Sequence, residues 1–118
     1  MSRTEVNRIC QALPGSKNSD PWGGGHDAWK IGGKMFACIG TQGDGVSVKT
    51  ADRETAQMLI DAAVATKAPY FHRSWVRLPL DADPQELEHR IAASYQLVRN
   101  SLTKKQQQEL PEYRRSDQ

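Results

Sequence analysis

The chain has 118 residues, 16 basic against 14 acidic for a net charge of +2, and 37% apolar residues. That length holds one domain with one core, and so small a net charge neither demands nor excludes a nucleic-acid partner. Cys10 and Cys38 lack C-x-x-C spacing and read as small buried residues of a reduced, cytoplasmic protein, and no apolar run is long enough for a signal peptide or a membrane span.

Val6, Ile9, Cys10 and Leu13 form one apolar stripe at helical spacing and predict a helix over about 3–13. Ser2 and Glu5 have the spacing of a capping box, and Leu13-Pro14-Gly15 ends the helix. Residues 15–25 read as loop, with a short extended piece near 16–20. Trp22, ahead of Gly23-Gly24-Gly25, is expected to cap the edge of the core.

The stretch from Ala28 to Ile39 organises the rest. It reads as two strands, about 26–31 and 34–40, joined by Gly32-Gly33, which tolerates the positive φ of a tight hairpin turn. A lone hairpin is only marginally stable, so the chain downstream must extend or cover it. Residues 41–45 make a second turn. Val46-Ser47-Val48-Lys49-Thr50 alternates as a half-buried strand with both valines inside.

Asp52 caps a second helix to about residue 64, with Ala56, Leu59, Ile60 and Ala63 as its buried stripe. A break follows at 66–69, and residues 70–78 read as one or two strands. Arg73, Trp75 and Arg77 are two apart. Either the indole lies between two guanidiniums on one face, or Trp75 enters the core while the arginines point out. Asp83, Pro84 and Glu86 start a third helix carrying Leu87, Ile91, Ser94, Tyr95, Val98 and Leu102, with a basic end at Arg99, Lys104 and Lys105. Residues 106–118 lack periodicity and read as a mobile polar tail. The expectation is one α+β domain over 1–105, a single antiparallel sheet with helices packed on one face.

Four stretches taken together resemble the MmcQ/YjbR family of small bacterial proteins: Lys30 to Ala37, Val46 to Lys49, Ala68 to Val76 and Ser94 to Val98. The resemblance spans about residues 3–105, and the glycine run at 23–25 is longer than the family pattern. It implies a compact fold like that of the bacterial frataxin homologue, with two hairpins as a double wing and a DNA-binding role inferred from that shape.

Basic residues near the hairpins are candidate phosphate contacts: Lys30, Lys34, Lys49, Arg73 and Arg77, with Tyr70 and Trp75 as possible stacking partners. Lysines on a solvated β-face also guard a sheet against edge pairing. Frataxin-like iron handling would need clustered acids, but the first helix offers Glu5 against Arg3 and Arg8. His72 with Cys10 or Cys38 lacks a third group, and no nucleophile elbow or phosphate loop is present, so neither catalysis nor a cofactor is expected. The reading is a monomeric, non-enzymatic DNA-binding protein. The alternative is a protein-interaction module working through Tyr95, the Trp22 loop or the Arg-rich tail.

Overall fold

The computed structural model describes residues 1–113. Helix α1 (Arg3–Ala12) opens on the expected capping box: Ser2 Oγ accepts from the Glu5 N–H, and Glu5 accepts from the Ser2 N–H. Strands β1 (Lys17–Ser19), β2 (Asp27–Ile31), β3 (Lys34–Ile39) and β4 (Gly45–Lys49) follow. Then come α2 (Arg53–Asp61), β5 (Thr66–Lys67), β6 (Trp75–Pro79), α3 (Pro84–Ser101) and α4 (Lys104–Glu109). The six strands form one sheet in the order β1-β2-β3-β4-β6-β5, every neighbouring pair antiparallel.

Strand alternation sorts the side chains into two faces. Trp29, Ala37, Ile39, Val46, Val48 and Leu78 are buried on one face, in a core they share with Val6 of α1, Leu59 of α2 and Ile91 of α3. The helices therefore cover that face, as the sequence suggests. Trp29 pairs with Ala37 while Lys30 pairs with Met35, so Phe36 is an extra residue, a β-bulge. The bulge turns the Phe36 ring inward, where it meets Tyr95 edge-on at 5.4 Å.

Several expectations fail for identifiable reasons. Residues 66–67 are not a break but the edge strand β5, too short to show a period. Residues 70–74 are not a strand, because Pro69 and Tyr70 turn the chain and Tyr70 takes φ 71°. Trp75 does not enter the core. Val76 and Leu78 fill it, and the half-buried indole stacks on Phe71 at 4.6 Å. Trp22 is 59% exposed and rests edge-on against His26 rather than capping the core.

Residues 106–113 of the expected tail pack back onto the domain. Thr103 and Gln106 form a second capping box that starts α4. Leu110 reaches the core beside Gly15, Tyr113 meets Tyr95 edge-on at 4.7 Å, and Arg99 donates to the Pro111 carbonyl at 2.7 Å. These anchors are single residues whose partners lie far away in sequence, so no periodicity announces them. The rest of the expected tail, 114–118, lies outside the described residues. Leu102, the C-cap of α3, packs against the β2–β3 turn. A Cβ at Gly32 would sit 2.7 Å from the Leu102 methyls, which demands glycine there twice over, since φ is also 57°.

Candidate nucleic-acid interface

The face of the sheet away from the helices carries a cross-strand row of cations. Lys17 of β1 pairs with Lys30 of β2, which pairs with Met35 of β3. Lys49 of β4 lies on the same face as Ser47 and pairs with Trp75 of β6, although no pair joins it to Met35, because the Phe36 bulge interrupts the β3–β4 register there. With strands spaced about 4.8 Å apart, Lys17 and Lys49 start about 14 Å from each other. Beside the row runs a floor of small buried residues, Ala28, Cys38 and Ser47, successive partners across β2, β3 and β4.

The strands present no carboxylate on that face, and one carboxylate, that of Asp44 in the turn before β4, reaches it to meet Arg77. Among the described residues, Asp27 is the one acid within a strand, and it is turned towards α1. Its Oδ2 accepts from Arg3 Nε at 2.7 Å and Asn7 Nδ2 at 2.9 Å, and its Oδ1 accepts from Asn18 at 2.8 Å. Burial pushes this carboxyl up, but the hydrogen bonds from Asn18, Asn7 and Arg3, with the charge of Arg3, outweigh it and hold the pKa below its ordinary value.

The structure divides the other sequence candidates. Lys34 pairs with Ile31, whose side chain is in the core, so Lys34 and Lys30 emerge on opposite faces of their hairpin. Arg77 lies across Gly45, where a Cβ would collide with its guanidinium, and that guanidinium donates to the Asp44 carboxylate. Its charge is thereby offset. Arg73 and Tyr70 are exposed in the loop before β6. Lys17 escaped sequence reading. A three-residue strand gives no period, and only its register with β2 places the lysine beside Lys30.

The thiols are poor nucleophiles. Burial, with a lesser contribution from Asp27, pushes Cys10 up to about 12, and burial raises Cys38 in the same direction. His72 is engaged through Nδ1 with Ser74 Oγ at 2.9 Å and accepts from the Ser74 N–H at 3.1 Å. Among the described residues, no three His, Cys, Asp or Glu side chains gather as a metal site. No helix among them is long and apolar enough to cross a membrane.

The architecture is that of a small α+β domain with one antiparallel sheet, helices on one face and basic residues on the other. The YjbR family model matches residues 11–97, and the chain belongs to that family. The crystal structure of Deinococcus radiodurans protein DR2400, described as carrying a DUF419 domain, superposes with a TM-score of 0.81 at 22% identity. The match covers 92% of this chain and 86% of that one, a likeness of fold. No curated protein matches the chain.

Proposed function

We propose that this protein is a non-enzymatic DNA-binding protein, acting as a cytoplasmic monomer, that holds backbone phosphates on the open face of its sheet. Lys17, Lys30 and Lys49 make the contacts. The supporting observation is their common row on a face whose strands present no carboxylate. Each lysine neutralises a phosphate and releases counterions, which favours association entropically. Contacts of this kind position the protein on a duplex without reading its sequence. Trp75, at the end of the row, offers a ring to any base that leaves the stack.

The reading is tested by fluorescence anisotropy of a labelled duplex over a range of salt concentrations. Three phosphate contacts give a log–log slope of about −2.7. A slope near zero, or one unchanged when the three lysines are replaced together by alanine, overturns it.

A further inference from the structure

We propose that the cleft between α2 and the loop entering β6 binds a nucleotide, an aromatic base carrying a phosphate. The proposal does not rest on the duplex reading, because its chemistry stands whatever the lysine row does. The cleft encloses about 580 Å³ and is lined by Arg53 and Gln57 of α2, Lys67 of β5, and Phe71, Arg73 and Trp75. That volume lies within the range of small-molecule sites, roughly 300–1,000 Å³.

Two kinds of group meet there. The first is unspent positive charge. Arg3, Arg77 and Arg90 sit in ion pairs with carboxylates. Among the described residues, Arg53, Lys67 and Arg73 sit in none, and the cleft adds the single carboxylate of Glu54. Guanidinium forks match phosphate oxygens in pairs. The second is an aromatic wall. Phe71 and Trp75 stack at 4.6 Å with their planes 22° apart, and both remain partly open. His72 also borders the cleft. Its Nδ1 accepts from the Ser74 N–H, which leaves Nε2 as the ring's donor.

The loop stores strain where Tyr70 precedes the wall. The Phe71 N–H bonds the Ala68 carbonyl at 3.3 Å, with Pro69 second and Tyr70 third in the turn. The third position has φ 71°, where glycine or asparagine is usual. The Tyr70 ring is fully exposed, so core packing does not offset that strain. Strained, exposed residues of this kind concentrate at ligand sites. Phosphate alone leaves the wall unused, and an apolar ligand leaves three cations unused. A nucleotide engages both, either free or as an unpaired nucleotide of a single strand.

The test uses the full ¹⁵N-labelled chain titrated with adenosine monophosphate, adenosine, inorganic phosphate and a short single-stranded oligonucleotide. The Trp75 indole N–H and the amides of Phe71 and Arg73 report binding. Adenosine monophosphate is expected to shift these signals, with adenosine and phosphate each weaker by about tenfold or more. Arg53→Ala and Arg73→Ala, both at exposed positions, should each weaken binding about tenfold while leaving the melting temperature in place. Cleft shifts from the oligonucleotide but not from the free nucleotide assign the ligand to a strand. Phosphate that binds as well as the nucleotide overturns the proposal, as does a cleft that neither the nucleotide nor the strand perturbs.

Discussion

Ser94 of α3 donates its hydroxyl to the Phe36 carbonyl at 2.6 Å, standing where a β4 strand partner would stand. The β3–β4 register pairs Ala37 with Val48, so Phe36 would next face Lys49. The bulge breaks that pairing, and Ser94 Oγ accepts the Lys49 N–H at 2.9 Å in its place. One hydroxyl thus satisfies two backbone groups and holds the strand end that carries Lys49. Ser94→Ala leaves both without it. An unsatisfied buried group costs about 1–3 kcal/mol, so we expect a loss of about 2–4 kcal/mol, read as a lower urea midpoint with an unchanged slope.

The opposite faces of Lys30 and Lys34 give a clean contrast for DNA binding. Lys30→Ala should reduce the salt slope by about one contact. Lys34→Ala, on the far side of the hairpin, should leave the slope unchanged. Equal effects in anisotropy titrations would place the duplex at the hairpin tip instead of on the sheet.

Asp27 makes stability depend on acid. Its folded pKa lies below the ordinary 3.8, so the stability it contributes is fully present above 3.8 and is lost as pH falls through the lower folded value. Asp27→Asn should cost about 1–3 kcal/mol at neutral pH, because hydrogen bonds to a charged acceptor are lost. It should also flatten the acid limb of the unfolding midpoint against pH. A variant with the original acid dependence would show that another carboxylate governs it.

Among the described residues, two that are not glycine hold positive φ, Ala63 and Tyr70, and both predict stabilising changes. Helix α2 ends in a Schellman motif: the Val64 N–H bonds the Leu59 carbonyl and the Ala63 N–H bonds that of Ile60, with Ala63 at φ 60°. Ala63→Gly and Tyr70→Gly should each raise stability by about 1 kcal/mol, offset in part by unfolded-chain entropy. Thermal melts check both. A lower melting temperature for Ala63→Gly would mean that the alanine methyl packs more favourably than the backbone strain costs.

The local chemistry of this fold is legible in the sequence. Ser2 with Glu5, Asp52, and Asp83 with Pro84 mark helix starts, Gly32-Gly33 marks the hairpin turn, and Val46 with Val48 marks a strand with one buried face. These signals depend on residues within a few positions of each other, so a linear reading captures them. Tertiary structure alone decided the rest. The bulge at Phe36, the pairing of Lys17 with Lys30, the seating of Leu110 beside Gly15 and the face on which Lys34 emerges all depend on register or on distant partners. Register decides the proposed interface most directly. A one-residue shift moves every side chain to the other face, and it is strand register that brings scattered lysines onto one face.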